Sequence, residues 1–445
     1  MRKFITSGSP LFRRTGGELA CTGRVFARTG RVFVRVNRGF VCAGRVFACA
    51  LLVLSLCLAG CSAIHERDFD KVEQDTKSEP VSASVLSDKE LYTRAKKETQ
   101  NAEVNIYSST TVTEKVVNNF MEKYPEFEGR IIYHEMGDES TYPGLVQSIE
   151  SGSSEVDLLI SHSDLVDELT DAGLAYNYFP LSYCDVVDDE YQMPTAFMLS
   201  STLFMCNSSL GEINIGNVWE LTEPEWAGRI LMKNPLDEQV NMNFFSMMSS
   251  PECTERLRSA YKSYYGYDWQ SGNYKTIADE WVFGFIANCD FSYGSNSDIM
   301  EQLAGSTESK IALVGYSKLR KLSSEERSNI TVCALKGDIE GFCGFAFGTY
   351  ATVARDTLCP YTCALFINYI LNEEGFSGEG AWNNYSGYYS TNEAVDKETT
   401  SGDMNLDFWA DKLVIEDSDY LYIQNSKIED FTRSCIEARL DVGES

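Results

Sequence analysis

Apolar positions change their spacing in a regular way between residues 88 and 173. An amphipathic helix is expected from residue 88 to about 98, followed by a short strand, Val104-Asn105-Ile106-Tyr107. Val112, Val116, Val117, Phe120, Met121 and Tyr124 then recur at helical period, and Pro125 stops the helix. Thr111 and Glu114 stand at capping-box spacing. A strand over 131–134 follows, then a helix opened by Pro143 and ended by Gly152, then a strand over 156–160. Ser163 is placed to cap a helix over 164–172, with Gly173 as its terminator. Strands alternating with helices in this order form a parallel sheet with right-handed crossovers and helices on both faces.

The alternation resumes further on. A helix is expected over 219–226, a strand over 230–232, and long helical stretches to about residue 287. Residues 291–294 lead into Ser295-Asn296-Ser297-Asp298 and a helix through Leu303; 311–314 is another apolar strand. Pro360 opens a helix whose Cys363, Phe366, Ile367, Ile370 and Leu371 face inward, closing at Gly375. A body this long divides more readily into two α/β lobes than into one sheet.

The 445 residues carry a formal charge of -28, with 43% hydrophobic and 12% aromatic residues. The charge is unevenly placed: residues 1–60 carry +9 and the remainder -37. So acidic a body repels phosphate backbones, which argues against nucleic acid as a partner. Residues 46–59 are apolar apart from Ser55 and follow Arg45; this is too short for a bilayer span and right for a signal-peptide core. The run ends in Leu58-Ala59-Gly60-Cys61, which resembles the lipobox of bacterial lipoproteins and implies a lipid on Cys61. Residues 1–60 are therefore read as a lipoprotein signal peptide. Gly-Arg-Val-Phe appears three times in its long basic preamble, which is unusual, and the coding start is expected near the apolar core. The polar segment 61–87 reads as a flexible linker.

A Ser/Thr cluster directly after the first strand of a lipidated α/β body resembles the solute-binding proteins of ABC transporters. The nearest likeness is to the type II periplasmic binding fold, in the extracellular solute-binding family that includes ferric, thiamine and phosphonate binders. Val104 through Thr111 resembles the family's opening strand and first ligand loop, and Ser154 through Ser163 its next strand and loop. Trp219-Glu-Leu-Thr-Glu-Pro-Glu-Trp-Ala-Gly-Arg-Ile-Leu-Met-Lys-Asn-Pro235 is the most specific match; the stretches 292–314 and 360–375 also fit. The resemblance implies an α/β fold of two lobes with a ligand cleft between them. Lobe one would take 88–195 and 345–445, and lobe two 196–344, with chain crossings near 195–206 and 333–344. It further implies no enzymatic activity, a monomer, a location in the bacterial cell envelope outside the cytoplasm, and delivery of a small solute to an ABC permease in the membrane.

Ligands of open α/β sheets bind beyond the carboxyl ends of the strands, where helix N-termini offer free N–H groups. Three clusters have this form: Ser108, Ser109 and Thr110; Ser161, His162 and Ser163; and Ser295, Asn296 and Ser297. Each cluster alone reads as ordinary helix capping; combined with the resemblance, at least two of the three are expected to touch ligand. Asn241 and Tyr316 are weaker additions. Ferric members of the family usually offer adjacent tyrosines after the strand matched by 311–314, whereas here Gly315-Tyr316-Ser317 supplies one. Tyr388-Tyr389 is a pair, but is expected to pack structurally. The lead ligand is accordingly a phosphate- or carboxylate-bearing organic anion held by neutral donors, against the long-range field of the acidic body. Iron(III) or an iron complex is the alternative, and a surface enzyme or adhesin a further one.

Nine cysteines follow Cys61, an odd number scattered along the body, and they are read as buried small hydrophobes. With only His134 and His162 in the body, no zinc site and no cofactor are expected. Nucleophile elbows, zincin motifs, Walker loops and dinucleotide fingerprints are absent from the sequence.

Overall fold

The computed structural model describes residues 86–136, 142–153, 155–211 and 213–443. The signal peptide, Cys61 and nearly all of the linker lie outside the described residues. Ser87 belongs to the folded body, since it closes a capping box with Glu90 at the start of α1 (Asp88–Glu98).

Strands β1 (Val104–Ser108), β2 (Ile131–Glu135) and β3 (Leu158–Ser161) are parallel, with Val104 opposite Ile131 and Ile106 opposite Leu158. Between them run α2 (Val112–Lys123) and α3 (Tyr142–Glu150), and α4 (Ser163–Asp171) follows β3. A short β4 (Ala175–Asn177) leads to β5 (Ala196–Asn207), which is buried at all twelve residues. The chain continues through β6 (Ile230–Leu231), α5 (Gln239–Met247), α6 (Pro251–Tyr265), α7 (Ile277–Asn288), β7 (Cys289–Asp290), α8 (Asn296–Gly305), β8 (Ile311–Gly315) and β9 (Ile330–Val332). It returns along β10 (Gly344–Ala354), then α9 (Pro360–Ile370), β11 (Tyr388–Ser390), β12 (Val414–Ile415) and the long α10 (Ser418–Gly443).

The main path of the sheet is β2-β1-β3-β10-β5-β8-β6-β7. Its centre is the antiparallel pair β5 and β10, which connects the two parallel halves. β10 reaches β3 through Tyr350 opposite Ser161, and β5 reaches β8 through Thr202 opposite Gly315. Each half has its own core: Phe120, Phe127, Phe366 and Trp382 in one, Trp219, Phe244, Trp281 and Phe285 in the other. This is the expected two-lobed α/β architecture.

Several local expectations change. Residues 219–226 form two 3-10 turns, Val218–Thr222 and Pro224–Trp226, because Pro224 cannot supply the N–H that an α-helix needs there. The second expected crossing, 333–344, holds one 3-10 turn and a loop, and the crossing strand is the next segment, β10. That strand can start against β5 only at a glycine: a Cβ on Gly344 would lie 2.2 Å from the Thr202 carbonyl oxygen. The last helix, α10, packs on α5 and α7 with Leu421, Cys435 and Ile436 in the second core, so not all of 345–445 returns to the first lobe.

Candidate functional site

The carboxyl ends of β1, β3 and β8 all point at one cavity, which holds about 220 Å³ of space open to water. Ser109 and Thr110 enter it from the loop after β1, and His162 from the start of α4. The chain returns sharply at the first loop: Ser109 N–H donates to the Ile160 carbonyl at 3.0 Å, and Thr110 N–H to Ser108 Oγ at 3.1 Å. Ser295, Asn296 and Ser297 come from the N-terminus of α8, where Ser295 Oγ accepts from Asp298 N–H at 3.1 Å. Three helix starts therefore converge on one space, each with unpaired N–H groups and the positive end of its dipole.

Four expected residues sit elsewhere. Ser108 is buried and bonds Thr113 Oγ1 at 2.8 Å, shaping the first loop rather than lining the cavity. Ser161 is buried within β3, and its hydroxyl has no hydrogen-bond partner among the described residues. Asn241 lies one step behind the cavity, where its Nδ2 donates to Glu238 Oε2 at 2.6 Å and to the Lys233 carbonyl at 3.0 Å. Tyr316 turns into the core beside Trp409, with ring centroids 6.4 Å apart. Two cap assignments also change. Thr111 has helical backbone and makes no side-chain cap, and Ser163 is the first residue of α4, donating to Glu416 Oε1 at 3.3 Å.

The structure adds charge to a site expected to be neutral. Lys233, Lys318 and Arg320 line the cavity together with one carboxylate, Glu238. Lys233 and Glu238 pair at 3.5 Å, and Asn296 Nδ2 donates to Glu238 Oε1 at 2.9 Å. Burial raises the Glu238 carboxyl above its ordinary value, against the pull of Lys233. Neither Lys318 nor Arg320 forms an ion pair among the described residues. Burial, helped by neighbouring Arg320, holds the Lys318 ammonium below its usual value against the opposing pull of Tyr388 and Glu238. His162 is likewise lowered by burial; its ring meets Phe347 edge-on at 5.1 Å, and its buried Nδ1 has no hydrogen-bond partner among the described residues.

Tyr388 is the other correction. It faces the cavity from β11, whereas its neighbour Tyr389 is buried against Ser201 Oγ at 3.3 Å. Burial raises the Tyr388 phenol, but Arg320, the hydroxyls of Ser317 and Thr110, and Lys318 outweigh it, leaving the group below an ordinary tyrosine. Ser200, Ser201, Thr202 and Thr349 complete the floor from the two crossing strands. The chemistry gathered here suits negative charge: cations from the turn after β8, hydroxyls from the crossing strands, and helix N-termini from both sides of the cavity.

Comparison with solved structures gives the same architecture. The chain is similar to apo ferric ion-binding protein A of Pasteurella haemolytica, with a TM-score of 0.55 and 12% identity over 75% of this chain and 97% of that one. Iron-bound HitA from Pseudomonas aeruginosa matches at a TM-score of 0.53 and 15% identity, over 75% and 99% of the two chains. The periplasmic binding protein AfuA from Actinobacillus pleuropneumoniae, with exogenous fructose-6-phosphate bound, matches at 0.52 and 17%, over 77% and 98%. At these identities the likeness establishes the fold alone, that of the two-lobed periplasmic binding proteins. No family model matches the sequence, and no curated protein does either.

Proposed function

We propose that this chain is the extracytoplasmic solute-binding component of an ABC importer, a binding protein rather than an enzyme. It captures a small organic anion bearing phosphate or carboxylate in the cleft, and closure of the lobes presents the loaded form to a membrane permease. One observation carries the reading: Lys318 and Arg320 line an interlobe cavity without an ion-pair partner among the described residues. Glu238, the one carboxylate among the lining residues, pairs with Lys233 and offsets Lys318 only through space. The cations therefore outnumber the carboxylate, and an incoming anion relieves the cost of holding them out of water. The local positive charge also offsets the repulsive field of the acidic body, because screening leaves short-range contacts dominant at physiological salt. A thermal-shift screen of phosphorylated and carboxylated compounds tests the reading, with a rise in Tm for at least one anion and none for neutral analogues. If only neutral solutes raise Tm, the anion assignment is wrong.

A second reading, an iron(III) complex, has Tyr388 in its favour, since a phenol below its ordinary value ionises more readily onto a metal. Against it, no three His, Cys, Asp or Glu residues converge among the described residues. We further propose that Cys61, freed by processing and lipidated, anchors a monomer in the bacterial cell envelope. The mass of the N-terminal peptide of the membrane-extracted protein tests this, and an unmodified Cys61 overturns it.

A further inference from the structure

We propose that Glu416 is a positioning residue for closure: one of its carboxylate oxygens is held from both lobes at once, and this link sets how far the empty cleft stands open. Oε1 accepts from Ser163 Oγ at 3.3 Å and from Asn243 Nδ2 at 2.8 Å. Ser163 starts α4 of the first lobe, and Asn243 lies in α5 of the second. Two donors bonded to one atom cannot move apart freely, so any rotation that parts α4 from α5 breaks a bond. His162, which precedes α4, and Val240 of α5 both line the cleft, so parting these helices is a motion that widens it. The other oxygen, Oε2, accepts from Gly348 N–H at 3.2 Å on the crossing strand β10. That strand is irregular next to this point. Its register against β5 slips between Thr349 and Tyr350, and a Cβ on Gly348 would lie 2.4 Å from the Tyr350 hydroxyl oxygen. A strand bends where its ladder slips, and a few residues of this kind absorb a hinge rotation. One carboxylate thus grips both lobes and the strand on which they turn.

The charges around the link oppose it. A separate crease of about 290 Å³ opens beside it, lined by Ser163, Asp164 and Asp167 of α4, Asn243 of α5 and Glu429 of α10, and its described lining residues include no lysine or arginine. Carboxylates on the two sides repel, so without donors between them these helices would stand apart. The amides supply the donors. Gln239 Nε2 donates to Asn243 Oδ1 at 3.0 Å and to Glu429 Oε1 at 3.0 Å, which leaves Asn243 Nδ2 turned to Glu416. A solute that binds only the closed form gains apparent affinity in proportion to the fraction of empty molecules already closed. This role depends on the proposed hinge closure and on no particular solute.

Small-angle scattering of the full chain without solute is the test. Glu416→Ala, Ser163→Ala and Asn243→Ala each remove one side of the link, and each is expected to give a larger radius of gyration than the unsubstituted protein. Tyr420→Phe removes a bond to Ser249 at 2.8 Å within the second lobe and is expected to leave the radius unchanged. Ser163→Ala is the mildest of these changes and decides the matter if Glu416→Ala does not fold. A lower Tm in the three variants with no change of radius is the mark of a merely structural role and overturns the proposal, as does an equal expansion in Tyr420→Phe. Expanded variants with no anion raising Tm in the thermal-shift screen leave the closure device standing and sink the anion reading; anion binding with unchanged radii does the reverse.

Discussion

Arg320 and Tyr388 meet at the floor of the cleft, where Nη1 of the guanidinium donates to the phenolic oxygen at 3.4 Å. The same side chain lies over the ring of Tyr385 at 5.7 Å and donates through Nη2 to Thr111 Oγ1 at 3.5 Å. Arg320 follows β8 of the second lobe, and Thr111 precedes α2 of the first, so one cation spans the two. Replacing it should weaken both solute and closure. Arg320→Ala is expected to lower anion affinity by about 100-fold, and the solute-dependent decrease in small-angle scattering radius should disappear.

Lys318 behaves differently because no such bonds hold it among the described residues. Its half-buried ammonium is drawn out of water without an ion pair there, so Lys318→Met should raise Tm by roughly 2–4 °C while abolishing anion binding. A gain in stability with a loss of binding separates a functional cation from a structural one. Affinity of the unsubstituted protein for an anion of fixed charge should also fall as pH rises toward the depressed value of this group. Titration calorimetry at several pH values checks both.

Tyr388 discriminates the two ligand readings. Tyr388→Phe removes one hydroxyl from an anion site and should cost anion affinity less than about 10-fold. If the protein instead binds iron through this phenolate, ferric addition to the unsubstituted protein gives a visible charge-transfer band, which the Phe variant lacks.

Glu416 sets a pH dependence. Its carboxylate is buried between the lobes, accepting from Asn243 Nδ2 at 2.8 Å, Ser163 Oγ at 3.3 Å and Gly348 N–H at 3.2 Å, with Asp164 nearby. Burial pushes it up to about 7, above the ordinary 4.5. The folded state therefore holds a proton that the unfolded state has lost between these values. The contribution is fully present below about 4.5 and declines as pH rises through 7, on the order of 3 kcal/mol in all. Asp396, also raised to about 7 by burial, acts in the same direction. Tm should be higher near pH 5.5 than near pH 8, and Glu416→Gln should flatten that slope.

The helices of the first lobe were legible because each faces one core, as Val112, Val116 and Phe120 do on α2, and its strands because they are short apolar runs between those helices. The crossing strands were not, since β5 and β10 are buried on both sides and show no alternation to read. Ser200, Ser201 and Thr202 interrupt an apolar run there, and that interruption was the available signal for the floor of the site. Ser109, Thr110, His162 and Ser295–Ser297, which line the cavity, were legible as strand-end and helix-start positions. The same rule applied after β8 would have reached Lys318 and Arg320, but cations in a turn look like solvated surface charge until the fold encloses them. Asn241 and Tyr316 were misplaced by reach: each lies close along the chain to a lining residue, yet turns to a different neighbour.

The most direct measurement is calorimetric titration of the best anion from the thermal-shift screen into the unsubstituted protein and into a Lys318→Met, Arg320→Ala double variant. One solute per chain for the former, with affinity reduced at least 100-fold in a folded double variant, is the predicted result. Equal affinity in the two proteins would contradict the account, because the solute would then be held somewhere other than between these cations.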